Sequence, residues 1–292
     1  MEALVGIYEP NPNSQLGMGE IIQRDWRLLR TADPANVAKF VRDALPKFPY
    51  ETDLTFKRRP HGVSDPLQNW MEFTDEIKNT NRYHIKAIPD SSLLERAFRE
   101  STRIISSGTK FYRGRSHESD CRFPASEMGA PPKNFAVSGR ANPHGIPYLY
   151  VADSFETCVY ESRARELMYI SIASFTTTKD IEILDLCADA IKEPDFFTDD
   201  PSEALALHDY IFELGNLLSR PIRASDGPVE YVPTQYLCEF AKSIGLDGVQ
   251  YSSSLNKNGI NLAIFDQTHM RVNRKVRLYA VDSNEIKVTE VP

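Results

Sequence analysis

The sequence predicts an α+β protein in which a mainly helical region precedes a domain of mixed strands and helices. In the first part, apolar residues recur at helical spacing, as in IIQRDWRLLRTA and ANVAKFVRDALPKF, and strand alternation is scarce. From Thr109 onward, short apolar stretches separated by turn residues become the dominant pattern. We therefore place a helical N-terminal region at residues 1–90 and the α+β domain at residues 91–292.

The N-terminal region contains two predicted helices, of which the second has the clearer periodicity. Its apolar residues lie three and four positions apart, at Val37, Phe40, Val41 and Leu45. The segment YETDLTFKRRPHGVSDPLQ then interrupts the pattern with charges, prolines and a glycine, which predicts a linker or a long surface loop. Two roles for the region stay open: a regulatory or partner-binding domain, and a packing extension of the domain that follows.

The stretch SLLERAFRESTRIISSG predicts a helix that leads into the second domain. Ser92 and Glu95 have the spacing of a capping box, and Gly108 is a typical stop residue. The apolar residues of this stretch lie roughly along one face, at Leu94, Ala97, Phe98 and Ile105.

The second domain alternates predicted strands with shorter helices. The strand candidates are the apolar stretches LYVA, YISIASF, IEILDL, GVQYS and NLAIF. A helix is predicted from Asp153 to Arg165, because Asp153 can cap it and Glu156 follows at capping-box spacing. Two more helices are predicted to start at Pro201 and Pro233, the latter closed by Gly245.

Composition excludes several classes of function. The 292 residues are 41% hydrophobic and 26% charged, which is ordinary for a globular protein. The formal net charge of −7 argues against broad nucleic-acid binding, which usually needs a basic surplus. The N-terminus lacks the features of a secretory signal, and no stretch approaches the length of a membrane span, so we predict a cytoplasmic location. The four cysteines are far apart and no H-E-x-x-H motif occurs, so we predict no metal site.

Two arginines are candidates for binding an anion. Arg113 follows two aromatic residues in the strand-like FYRGR, where it is either an exposed edge residue or a fork of donors for a phosphate group. Arg140 lies in the turn-rich SGRANPHG, where a solvated side chain is the ordinary outcome. Loops that border a pocket, however, often carry binding residues.

The other polar candidates also have two interpretations each. Tyr150 ends an apolar strand, so that core packing and substrate stacking fit equally well. Glu161 is either an exposed partner of Arg165 at helical i, i+4 spacing or a partly buried carboxylate on the face of Cys158. A serine run from Ser252 to Ser254 is most often a turn, and no G-x-S-x-G motif surrounds it.

From about Gly108 to Asp266 the chain resembles the RES domain, a family named for its arginine, glutamate and serine and found in bacterial toxins paired with Xre-type antitoxins. The matching stretches occur in the family's order and cover a little over half of the chain. They are FYRGR, GRANPHGIPYLYVADSFETCVYE, YVPTQYLCEFAKSIGLDGVQYSSS and NGINLAIFD. One position departs from the pattern: Ala141 stands where members commonly have tryptophan in G-R-W-N-P.

The resemblance implies a fold similar to ADP-ribosyltransferases and an activity that destroys NAD⁺. The bond to nicotinamide would be broken by hydrolysis or by phosphorolysis, with NAD⁺ as substrate, no separate cofactor, and phosphate as a co-substrate in the second case. The residues that give the family its name correspond to Arg113, Glu161 and one of the serines. Among the serines we choose Ser253, because it stands two places after Tyr251.

The resemblance also implies a role for each of these residues. Glu161 would stabilise the positive charge that develops on the ribose as the glycosidic bond breaks. Arg113, with Arg140, would bind pyrophosphate or the incoming phosphate. Tyr150 would stack on nicotinamide or close the pocket, and Ser253, with Ser252 beside it, would bond the ribose or the carboxamide.

Partners and alternative functions also follow from the resemblance. It implies an inhibitory partner, either an Xre-type antitoxin or another protein, and a homodimer would serve the same purpose of restraint. One alternative is an ADP-ribosyltransferase that modifies a macromolecule. The other, motivated by Ala141, is a non-catalytic NAD-binding module in a regulatory complex.

Overall fold

The structure is a computed structural model that describes residues 6–27, 31–44, 54–59, 66–166, 168–187, 189–220 and 227–281. These residues divide into two compact units. The first lies within residues 1–97 and 191–212, and the second within residues 98–190 and 213–292. A segment from the middle of the chain thus belongs with the N-terminal unit.

The described part of the first unit combines several helices with a small antiparallel sheet. Strand β1 (Tyr8–Pro10) pairs with β2 (Phe56–Arg58), and the helices include α1 (Met18–Trp26), α2 (Pro34–Ala44) and α3 (Pro66–Asn79). Helices are thus observed at both predicted stretches of the N-terminal region. Their first and last residues differ by a few positions from those that the periodicity suggests. The prediction of a linker or surface loop at residues 50–68 is wrong for Phe56–Arg58, because Phe56 is completely buried and this strand pairs with β1. Residues 50–53 and 60–65 of the predicted linker lie outside the described ranges.

A buried carboxylate organises the core of this unit. Asp25 is 2% exposed and accepts hydrogen bonds from the hydroxyl of Tyr8 at 3.0 Å and from Nε of Arg58 at 2.5 Å. Burial raises the pKa of Asp25, but hydrogen bonds from Arg58 and Arg24 outweigh this effect, so its pKa lies below the ordinary value. The network connects α1 to both strands of the small sheet.

The second unit is built on a mixed sheet of nine strands among the described residues. Along the sheet the strands lie in the order β10 (Met270–Val272), β6 (Tyr169–Thr177), β4 (Lys110–His117), β5 (Leu149–Ala152), β9 (Ile260–Ile264), β8 (Gly248–Ser252), β7 (Ile181–Asp185) and β3 (Thr102–Ile105). Strand β11 (Arg277–Ala280) also pairs with β6, and only β7 and β8 run parallel within this described sheet. All five strands predicted from apolar stretches are confirmed.

Helices α5 (Phe155–Glu161) and α7 (Val232–Ser243) belong to the second unit, and α6 (Pro201–Ser219) starts within the first. The predicted helix starts at Pro201 and near Pro233 are confirmed. Gly245, with φ of 89°, follows the end of α7 in the left-handed conformation that glycine tolerates best.

Two predicted helices are shorter than their sequence patterns suggest. Helix α4 (Ser91–Glu100) ends before Thr102, and the chain continues as β3, because Ile105 and its neighbours complete the edge of the large sheet. Asp90, rather than Ser92, caps α4 by accepting from the backbone amides of residues 92 and 93. Similarly, Ser154 caps α5, and this helix ends at Glu161 instead of Arg165.

Candidate active site

Five elements of the second unit enclose a cleft of about 270 Å³. Its lining residues belong to the strands β4, β5, β8 and β9 and to α5, with Ser162 directly after this helix. The residues that line it are Tyr112, Arg113, Gly114, Tyr150, Val151, Ala152, Cys158, Glu161, Ser162, Tyr251 and Asn261. The cleft therefore brings together Arg113, Tyr150 and Glu161, which are far apart in the sequence.

Glu161 is the last residue of α5, and its carboxylate is held from one side. Its Oε1 accepts a hydrogen bond of 2.6 Å from the hydroxyl of Ser253 and one of 2.7 Å from Nδ2 of Asn261. No hydrogen bond from the described residues reaches Oε2. Because the helix ends at this residue, Glu161 forms no helical i, i+4 pair with Arg165.

Ser253 uses its complete hydrogen-bonding capacity within the protein. Its hydroxyl donates to Glu161 and accepts from the backbone amides of Leu255 at 3.1 Å and Asn256 at 3.0 Å. A hydroxyl has one donor and two acceptor positions, so these three bonds fill it. Ser253 thus contacts the carboxylate and does not itself line the cleft.

Arg113 lies on β4 between β5 and β6, and therefore inside the sheet rather than at its edge. Its Nη1 donates to the backbone oxygen of Tyr150 at 2.8 Å, and its buried Nε has no hydrogen-bond partner among the described residues. Burial and the neighbouring charge of Arg115 lower the pKa of Arg113 to about 10. The side chain therefore stays charged at neutral pH, with donor capacity left for an anion.

Tyr150 lines the cleft, and its hydroxyl is fixed by hydrogen bonds. The hydroxyl donates to Oδ1 of Asn142 at 2.7 Å and accepts from the backbone amide of Ala141 at 3.1 Å. Burial raises the pKa of Tyr150 well above its ordinary value, so the phenol is neutral. Ala141, at the position that departs from the family pattern, is fully buried and lies outside the cleft lining.

Gly114 allows α5 to approach β4 closely. A Cβ at this position would lie 3.1 Å from Sγ of Cys158, 3.3 Å from Cγ2 of Ile170 and 3.4 Å from the backbone oxygen of Cys158. The glycine of FYRGR is therefore explained by the distance between this strand and the helix that carries Glu161. Burial raises the pKa of the Cys158 thiol to about 12, so it lines the cleft as a neutral group.

Two candidate binding residues lie outside the cleft. Arg140 donates to the backbone oxygen of Leu218 at 2.5 Å, and its guanidinium is 5.8 Å from the centroid of the Tyr251 ring. Ser252 is the last residue of β8 and is not among the residues that line the cleft. Their assignment as substrate-binding residues stays a prediction.

Asn261 lines the cleft but is not among the candidate residues predicted from the sequence. Its side chain lines the cleft and contacts Glu161, and the signal for it was present in the G-x-N-x-x-x-F pattern of NGINLAIFD. Tyr112 and Tyr251 were also missed, because each reads as an ordinary apolar strand residue. The described residues contain no group of three or more His, Cys, Asp or Glu side chains that could hold a metal ion.

The sheet and the helices packed with it define an α+β protein. A profile of the RES domain matches residues 110–286, which is more than half of the chain. The chain belongs to the RES domain family, and the expected family and fold are confirmed.

Among solved structures, the chain is similar to a chain in the crystal structure of the M. tuberculosis MbcT–MbcA toxin–antitoxin complex. The two share 17% sequence identity over 65% of this chain and 93% of that one, with a TM-score of 0.38. Curated protein sequences contain no significant match. In the described part of the chain, no helix is both long and apolar enough to cross a membrane.

Proposed function

We propose that the protein cleaves NAD⁺ at the bond between nicotinamide and ribose. The observation that carries this proposal is the carboxylate of Glu161, whose Oε1 is held by two donors while Oε2 is left for a ligand in the cleft. A fixed negative charge is what an oxocarbenium-like transition state requires, because positive charge develops on the ribose as the glycosidic bond breaks.

The bond changes need one carboxylate and no acid catalyst. In hydrolysis, a water oxygen bonds C1′ of the ribose as the bond from C1′ to nicotinamide breaks, and one proton passes to solvent. In phosphorolysis, a phosphate oxygen takes the place of water. Nicotinamide departs as a neutral molecule from a cationic ring, so it needs no protonation. Glu161 serves by stabilising charge and by orienting the attacking group.

Arg113 supports the proposal because its positive charge suits the phosphate groups of NAD⁺. Arg113 lines the cleft and stays charged at neutral pH, and arginine binds phosphate groups with two parallel hydrogen bonds. A cleft of about 270 Å³ is at the small end of ligand pockets, so it accommodates one end of a dinucleotide. We place the nicotinamide riboside end there, with Tyr150 against the ring system.

The biological role that fits this activity is a toxin that depletes NAD⁺ and is restrained by an antitoxin of the Xre type or by another inhibitory protein. The RES domain is found in bacterial toxins paired with such antitoxins, and the match of residues 110–286 to this domain supports the proposal for this chain. A homodimer remains a second means of restraint.

Incubation of the purified full chain with NAD⁺ tests the reaction. Nicotinamide release with ADP-ribose as co-product establishes hydrolysis, and ADP-ribose 1-phosphate formed only when phosphate is present establishes phosphorolysis. Label transferred from NAD⁺ to a macromolecule would instead identify a transferase. NAD⁺ binding in calorimetry without nicotinamide release would refute cleavage and leave a non-catalytic binding module.

A further inference from the structure

We infer that Asn261 is a positioning residue that, together with Ser253, orients the carboxylate of Glu161 so that Oε2 meets the substrate. This inference rests on the proposed NAD⁺ cleavage. Both donors reach the same oxygen, Oε1, at 2.7 Å and 2.6 Å. The terminal torsion of a glutamate has broad minima, so its carboxylate needs partners to hold one orientation. Two donors on one oxygen leave the other oxygen for the cleft.

One of the two donors lies on a strand of the large sheet, and the other lies in a turn. Asn261 is at the centre of the large sheet, where it stands opposite Ala152 on one neighbouring strand and Tyr251 on the other. It is only 8% exposed. Ser253, in contrast, follows the end of β8 in a turn. The amide of Asn261 is therefore the donor that the sheet itself fixes, and it sets the position of Oε1 relative to the base of the cleft.

The turn that carries Ser253 is attached to the helix that carries Glu161. Nδ2 of Asn256 donates to the hydroxyl of Thr157 at 3.0 Å, and that hydroxyl bonds the N-cap Ser154 at 2.7 Å. Helix α5 and the turn thus share hydrogen bonds at both ends of the helix. The carboxylate lies between this assembly and the sheet, and Asn261 is the contact that joins Glu161 to the sheet side.

Substitutions at Asn261 separate a positioning role from a packing role. Asn261→Asp keeps the shape but replaces the amide donor with an oxygen that repels the carboxylate. Asn261→Leu removes the donor without adding charge. The matched control is Gln250→Leu on the adjacent strand, since Gln250 is also a buried amide that donates to a buried carboxylate, that of Asp185, at 2.9 Å and away from the cleft.

We expect kcat for nicotinamide release to fall about 100-fold in both Asn261 variants, because a misplaced catalytic group costs about this much. KM for NAD⁺ should change less than about threefold, since Asn261 acts through Glu161 rather than on the substrate. Gln250→Leu should lower the thermal midpoint and leave kcat close to that of the wild type. Ser253→Ala should behave like Asn261→Leu.

A double-mutant cycle gives the decisive readout. In the Glu161→Gln background, Asn261→Leu should cost less than about threefold in further rate, because the charge that it orients is gone. Wild-type kcat in both Asn261 variants, or full additivity with Glu161→Gln, would overturn the positioning role while leaving NAD⁺ cleavage established. Absence of nicotinamide release from the wild type would instead refute the proposed function, and the positioning role would fall with it.

Discussion

Replacement of Glu161 by glutamine isolates the charge of the candidate catalytic group. The carboxylate Oε1 accepts from Ser253 and Asn261, and a carboxamide oxygen can accept the same two hydrogen bonds. Glu161→Gln therefore keeps the side chain in its present position. The group that then faces the cleft is an amide, a donor without negative charge, in place of a carboxylate oxygen.

The size of the effect follows from Coulomb's law. A carboxylate about 4 Å from the developing positive charge contributes about 4 kcal/mol at an effective dielectric constant of about 20. This is a factor of about 10³ in rate. The remaining dipole and the other groups of the cleft are unchanged, so we expect kcat to fall by about 10² to 10³.

The assay uses the purified full chain at saturating NAD⁺. Chromatography measures the rate at which nicotinamide is released. The matched control is Glu156→Gln on the first turn of the same helix, where the side chain is exposed and outside the cleft. The control should keep its rate and thermal midpoint. Turnover by Glu161→Gln within tenfold of the wild type, in a protein with an unchanged thermal midpoint, would refute the electrostatic role of this carboxylate.

Three further predictions concern the rest of the fold. Asp25→Asn should lower the free energy of unfolding by about 1.5–3 kcal/mol at neutral pH, because Arg58 loses a charged acceptor. Because the pKa of Asp25 is lowered in the folded state, its carboxylate stabilises the fold above about pH 4, and this stabilisation is lost as the pH falls further. In denaturant titrations, the difference in unfolding free energy between Asp25→Asn and the wild type should therefore shrink below that pH. Gly259→Ala should destabilise by about 1–3 kcal/mol in thermal unfolding, because its Cβ would lie 2.6 Å from a threonine hydroxyl of α5, whereas Gly227→Ala meets open space and should be neutral. Thiol titration of the native protein at pH 8 should find one reactive cysteine, the exposed Cys121, and four after unfolding; rapid labelling of a second native thiol would contradict the burial of the others.

Local patterns predicted most elements of the second unit but misplaced several of their ends. The strand at LYVA and the helix starting at Pro201 follow from apolar runs and from proline, which act within a few residues. The stretch after Glu100 also has helical periodicity, yet it becomes β3, because pairing with β7 satisfies its backbone along the sheet edge. A partner about 80 residues away in the chain is not visible in a local pattern.

In the candidate site, too, some features were predicted from the sequence and others depend on the tertiary structure. Arg113, Tyr150 and Glu161 were predicted as site residues from the order and spacing of motifs, and the structure places all three in one cleft. Their assignment as catalytic or binding residues stays a prediction. Arg140 and Ser252, chosen on the same grounds, do not line this cleft, because strand alternation and loop path decide which side chain reaches a pocket.

The sequence by itself determined the family, the α+β class and the carboxylate on which the proposed chemistry depends, because these are carried by motifs and by short-range periodicity. Only the tertiary structure decided how that carboxylate is held. Ser253 and Asn261 lie 92 and 100 residues from Glu161 in the chain and meet it on a single oxygen atom. Contacts of this kind depend on the register of the central strands and on the closeness of α5 to them, which no local stretch of sequence specifies.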